Sequence, residues 1–157
     1  MAIDEFTIED FRRVIYDLPH YFVEGTDGNE AVFDTRLDEG VFLRIYTSID
    51  AESGNVRPDS WDAIRVQFRG SSRMPGKDYE VLALSDGRYK HIKRTSGWEN
   101  RVAERVDSYT NLFPSIVRWC PDCDDALALR SGDQGPFAGC TGYHPSADDA
   151  CSYTEDL

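Results

Sequence analysis

Four cysteines constrain this chain more than any other feature. They fall in its last 38 residues as Cys120-Pro121-Asp122-Cys123, sixteen intervening residues, Cys140, ten more, and Cys151. Two pairs of thiols opened by CxxC have the donor count and spacing of a tetrahedral Zn²⁺ site. The stretch offers few large apolar side chains (Trp119, Leu127, Leu129, Phe137), too few to assemble a core. Metal ligation therefore has to supply folding free energy, of order 10 kcal/mol for such sites. The expected cofactor is one structural Zn²⁺ held by Cys120, Cys123, Cys140 and Cys151, with no position left for a reactive water. His144, four residues after Cys140, is the alternative fourth ligand. A CxxC redox pair and structural disulfides are the competing uses of the same thiols.

The rest of the chain reads as a folded domain ahead of this module. Thr7 followed by Asp10 resembles a capping box, and Phe11, Val14, Ile15 and Leu18 recur at helical spacing up to Pro19. Strand character follows at 30–37, 41–49, 62–69, 79–84 and 87–95, separated by turn signals such as Asp38-Glu39-Gly40, Pro75-Gly76 and Asp86-Gly87. A second helix is expected from Ser96 as N-cap, with Trp98, Val102, Val106 and Tyr109 along one stripe and Pro114 closing it. The predicted fold is α+β: an antiparallel meander flanked by two helices over 1–117, then a small zinc ribbon over 118–157. The opening MAIDEFTIED lacks a secretory signal, and no apolar run approaches the roughly 18 residues of a membrane span. These features predict a cytoplasmic protein with no membrane association.

Charge narrows the functional classes. The chain holds 29 acidic against 17 basic residues, a formal net charge of −12, with Asp favoured over Glu and Arg strongly over Lys. Dense carboxylates and scarce lysine suit a halophilic cytosol, where the Debye length falls to about 3 Å. On that reading acidity reports habitat, and nucleic acid remains an eligible partner.

Within the cysteine segment, Cys120, Pro121, Cys123, Leu127, Leu129, Arg130, Gly135, Phe137, Gly139, Cys140, Tyr143 and Pro145 follow a recognisable order. The run resembles the C4 zinc fingers at the C-termini of type IA DNA topoisomerases over about residues 119–152. His144 stands between the tyrosine and the proline, and the last cysteine comes later than in that pattern. The resemblance implies a ribbon that binds single-stranded DNA through exposed aromatics, with Phe137 and Tyr143 as stacking platforms and Arg130 beside them. It does not imply strand cleavage, because the toroidal catalytic core of that family is several times longer than this chain.

A basic island lies elsewhere. Residues 65–105 carry ten Lys and Arg against five acids, while the remainder is strongly acidic. Alternation turns Ile64, Val66 and Phe68 inward and Arg65, Gln67 and Arg69 outward; likewise Val41, Leu43 and Ile45 oppose Phe42, Arg44 and Tyr46. If the outward sets share one face, Arg and aromatic side chains interleave as single-strand binding requires. Arg44, Tyr46, Arg65, Arg69, Arg88, Lys90 and Arg94 are thus candidate nucleic-acid contacts, and their pairing with nearby carboxylates is the structural alternative. Asp62, Glu80 and Lys90 are conceivable members of a nuclease site, the only catalytic arrangement in view. The expectation is a non-catalytic zinc-ribbon accessory protein that binds DNA, preferentially single-stranded. An adaptor docking a DNA- or RNA-processing enzyme through the acidic ribbon is the alternative, and a metal-dependent nuclease the second.

Overall fold

The computed structural model describes residues 7–50, 52–53, 64–85 and 90–157. Helix α1 (Ile8–Tyr16) precedes strands β1 (Val23–Asp27), β2 (Glu30–Asp38), β3 (Val41–Ser48), β4 (Ile64–Ser71), β5 (Tyr79–Val81) and β6 (Lys90–Ile92). Helix α2 (Trp98–Ile116) and strands β7 (Leu127–Gly132), β8 (Gly135–Cys140) and β9 (Thr154–Asp156) complete the chain. The fold is α+β, with an antiparallel meander in the order β1-β2-β3-β4-β5 and a separate three-stranded sheet in the order β7-β8-β9. Strand β6 pairs with the first half of β4, Ile64 opposite Ile92, while β5 pairs with its second half, Arg69 opposite Val81.

Backbone contacts divide the chain into two compact units. The first comprises Met1–Leu37, Leu43–Gln67 and Tyr89–Asn111. Its α1 begins with a complete capping box, the Thr7 hydroxyl accepting from the Asp10 N–H while the Asp10 carboxylate accepts from the Thr7 N–H. The apolar stripe of α1 delivers Phe11 against Phe33 of β2, ring centroids 5.2 Å apart, and against Trp98 of α2 at 6.3 Å. Alternation in β4 is as the sequence implies, with Ile64, Val66 and Phe68 buried and the intervening Arg65, Gln67 and Arg69 half-buried.

The second unit comprises Asp38–Phe42, Phe68–Arg88 and Leu112–Leu157. Here the segment after β5 is laced to the cysteine region: the Ala83 N–H donates to the Leu127 carbonyl and the Arg118 N–H to the Ala83 carbonyl. Isolated bridges join Leu82 to Ala128, Leu84 to Val117 and Trp119 to Ala126. Gly70 is required where it stands, because a Cβ there would lie 2.7 Å from Leu82 Cδ2.

Three local expectations change. Helix α2 starts at Trp98 with Gly97, at φ +85°, before it; Ser96 is not its cap, and the Arg101 guanidinium binds the Ser96, Lys93 and Thr95 carbonyls instead. Pro114 lies inside α2 and does not close it; the last turn holds because the Val117 N–H donates to the Phe113 carbonyl. Strand β1 has no counterpart in the sequence reading, since all five of its residues are exposed and carry no apolar alternation. Its one signal is Gly28-Asn29, the two-residue hairpin turn between the paired Asp27 and Glu30, with Gly28 at φ +60°.

Candidate metal centre

The cysteine segment folds as two turns that face each other. In the first, the Cys120 N–H donates to the Asp125 carbonyl at 2.7 Å and the Asp124 N–H to the Cys120 carbonyl at 3.0 Å, with Asp124 in the left-handed region at φ 66°. In the second, the Tyr143 N–H donates to the Cys140 carbonyl, and the Cys151 N–H returns to the Gly142 carbonyl. Strand β8 ends at Cys140, so the β7–β8 hairpin sets the depth of the second turn against the first.

These turns bring the sulfurs of Cys120, Cys123, Cys140 and Cys151 within 4.8 Å of one another. Cys123 and Cys140 stand 3.2 Å apart and Cys120 and Cys151 3.6 Å, and no disulfide joins them. Four thiols converging on one point make a structural Zn²⁺ site. The surrounding backbone is suited to thiolates: the Gly142 N–H points at the Cys140 sulfur at 3.3 Å. Asp125 and Tyr153 give equivalent backbone hydrogen bonds to Cys123 and Cys151. Each donor sits two residues after its cysteine, the outer-shell arrangement that orients a ligating sulfur. Burial nevertheless pushes the Cys123 thiol up to about 11 and raises that of Cys140, whereas the Tyr153 N–H leads the effects that lower Cys151. A divalent ion among the sulfurs offsets the burial that disfavours the thiolates of Cys123 and Cys140.

The packing around the sulfurs is slight. Ala83, Cys120, Leu127, Ala138 and Cys140 form the buried cluster, with Cys151 and Tyr153 against it. One large aliphatic side chain is a small core for a three-stranded sheet, so ligation carries the load that burial does not. His144 has another role from the one considered for it: its Nδ1 accepts the Ser146 N–H at 3.0 Å, and Cys151 takes the fourth place.

The aromatic candidates of the ribbon are half-buried. Phe137 lies opposite Arg130 in the β7–β8 register, and its ring passes over glycines: a Cβ on Gly132 would lie 3.2 Å from it, and one on Gly139 3.4 Å. Tyr143 holds the Arg130 guanidinium over its ring at 5.8 Å. Arg130 is committed to a buried ion pair, donating to both Glu80 oxygens at 2.8 and 2.6 Å, with its side chain 11% and that of Glu80 4% exposed. Burial raises the Glu80 carboxyl, but hydrogen bonds from Arg130 and Ser72 outweigh it and hold the group below the usual carboxylate range. Glu80 was considered only as a nuclease ligand. The signal for its real role is a lone acid on the Leu82 side of an apolar run, Tyr79 to Leu84, where a buried charge needs a partner.

The candidate contacts outside the ribbon differ in their surroundings. Arg44 is bound to Asp34 through two nitrogens at 2.8 and 2.9 Å and to Asp27 at 3.1 Å. Tyr46 is buried rather than outward, and Arg65 lies 5.9 Å over its ring, so those two do share a face. Arg94 is also buried, because the phase set by Ile92 carries it inward while His91 and Lys93 face out. Arg69 is half-buried on β4. Arg88 and Asp62 lie outside the described residues, and of Lys90 only the backbone is described. Among the described residues no helix is long and apolar enough to cross a membrane. No protein-family model, curated protein or solved structure matches the chain, so the likeness to topoisomerase zinc fingers rests on the residues of the cysteine segment alone.

Proposed function

We propose that this protein is a non-catalytic zinc-ribbon accessory factor that binds single-stranded nucleic acid, DNA foremost, by stacking rather than by phosphate neutralisation. The observation that carries the reading is Phe137, a half-exposed ring laid across Gly132 and Gly139 on the ribbon sheet. Glycines beneath an aromatic ring let it lie flat and turn its outer face to a base, and one such contact contributes about 1–3 kcal/mol without sequence preference. Arg44 and Arg130 are ion-paired and Arg94 is buried, so these three are not expected to neutralise phosphate and stacking is expected to dominate. For a single strand the salt slope is about −0.7 per neutralised phosphate, so binding dominated by stacking is expected to give a shallow log-log slope. Binding of that kind persists at the high ionic strength that the acidic, lysine-poor composition suits.

Fluorescence anisotropy with a single-stranded oligonucleotide between low and molar salt tests this. Phe137→Ala is expected to weaken binding about fivefold to a hundredfold while the zinc content stays at one per chain. No binding at any salt, or equal binding by the variant, would overturn the reading.

A second reading, a docking adaptor, is favoured by a cleft of about 590 Å³ in the second unit whose wall includes Asp38, Glu39, Asp124, Asp125 and Trp119. Carboxylates around an indole suit a cationic side chain of a protein partner. An adaptor would retain a basic partner protein and ignore the oligonucleotide, which separates the two readings.

A further inference from the structure

We propose that the four-thiol site is also an oxidative modification site, at which peroxide closes disulfides across the two turns, Cys123 to Cys140 and Cys120 to Cys151, and not within the CxxC pair. The inference rests on the thiol cluster and is independent of nucleic-acid binding. Two observations single out this pairing. Cys123 with Cys140 at 3.2 Å and Cys120 with Cys151 at 3.6 Å are in sulfur–sulfur hydrogen-bond contact, each pair spanning the two turns. Exposure then assigns roles: Cys123 is exposed and Cys151 partly so, whereas Cys120 and Cys140 are buried at 1% and 0%. Each pair therefore holds one sulfur a small oxidant can reach and one it cannot.

The chemistry follows from that asymmetry. Ligation keeps the sulfurs as thiolates, the form that attacks peroxide. The Cys123 thiolate attacks one peroxide oxygen and the O–O bond breaks; hydroxide leaves and takes up a proton as water, and the sulfur is left as a sulfenic acid. The Cys140 thiolate then attacks that sulfur, forming the S–S bond and breaking the S–O bond, with the oxygen leaving as a second water. Two electrons pass from the thiolate pair to one peroxide. Cys151 and Cys120 repeat the sequence, so two peroxides and four protons yield two disulfides and four waters. With no thiolate donors left, the cation departs. Because the disulfides tie together the same two turns that the metal joined, the ribbon keeps its strands.

Trypsin with Asp-N gives the readout, since cleavage after Arg118 and Arg130 places Cys120 and Cys123 in one peptide, 119–130, and Cys140 and Cys151 in the other, 131–157, and cleavage before Asp122 and Asp148 then parts the two cysteines of each peptide. The zinc-loaded full chain would be exposed to hydrogen peroxide, alkylated, digested without reductant and mapped by mass spectrometry, with zinc release followed by a chromogenic chelator. The expected result is one zinc released per chain, free thiols falling from four to none, and the two peptides joined through 123–140 and 120–151. The far-ultraviolet circular dichroism should be retained, and dithiothreitol with zinc should reverse the change. Separate peptides with internal disulfides, linkage through 120–140 and 123–151, uncrosslinked sulfinic acids, or unfolding on zinc release would each overturn the proposal.

Discussion

The Glu80–Arg130 pair gives the sharpest test of how the second unit holds its ribbon. Replacing Arg130 by Met keeps most of the aliphatic bulk but leaves a carboxylate whose side chain is 4% exposed without its guanidinium. Stranding a buried charge in this way costs about 3 kcal/mol at neutral pH. The pH dependence discriminates further. In the wild type, the folded carboxyl lies below its usual value, because hydrogen bonds from Arg130 and Ser72, assisted by the charge of Lys77, outweigh burial. Its contribution is therefore complete above the unfolded value and lost only as pH falls through the folded one, so Glu80 leaves stability level between pH 7.5 and 5.5. In Arg130→Met the main lowering influence is gone and burial, which raises the group, dominates. The native state then binds the proton more readily than the unfolded chain, and stability must increase as pH falls from 7.5 to 5.5. Urea unfolding of the zinc-loaded protein, followed by tryptophan fluorescence at both pH values, measures the effect. The double variant Glu80→Met with Arg130→Met should cost less than Arg130→Met alone, since a packed apolar pair carries no desolvated charge. A loss under about 1 kcal/mol, or the same loss at both pH values, would refute the assignment of this pair as a buried electrostatic anchor.

Other perturbations follow from single contacts. Chelation of the metal should abolish hydrogen-exchange protection over Leu127–Cys140 while α1 and β2 keep theirs; protection unchanged by chelator would mean that the ribbon does not depend on ligation. Gly70→Ala forces a Cβ to 2.7 Å from Leu82 Cδ2 and should destabilise the protein by about 1–3 kcal/mol in denaturant melts. Thr7→Ala removes the hydroxyl half of the α1 capping box and should cost about 1 kcal/mol, with Thr7→Ser restoring most of it.

Much of the fold was legible wherever the sequence repeats a period. The β4 alternation of Ile64, Val66 and Phe68 and the α2 stripe of Trp98, Val102, Val106 and Tyr109 are buried as their spacing requires. Where the period is silent the reading failed: β1 has no apolar face to announce it, and Tyr46 is covered although its position in the strand pattern pointed outward. The metal site was the most legible part, because ligand number and spacing are local properties of the chain. What spacing left open was whether His144 or Cys151 completes the set, and the convergence of the Cys151 sulfur with the other three decides it.

By itself, then, the amino-acid order determined the helices, most strands of the meander and a four-thiol clasp, since propensity, alternation and ligand spacing all act over a few residues. Tertiary structure alone decided which charges are available to a ligand. Arg44 and Arg130 look free in sequence, but their carboxylates, Asp34 and Glu80, lie 10 and 50 residues away. Such pairs form only once separate strands are packed side by side, where a buried guanidinium without a carboxylate would cost several kcal/mol.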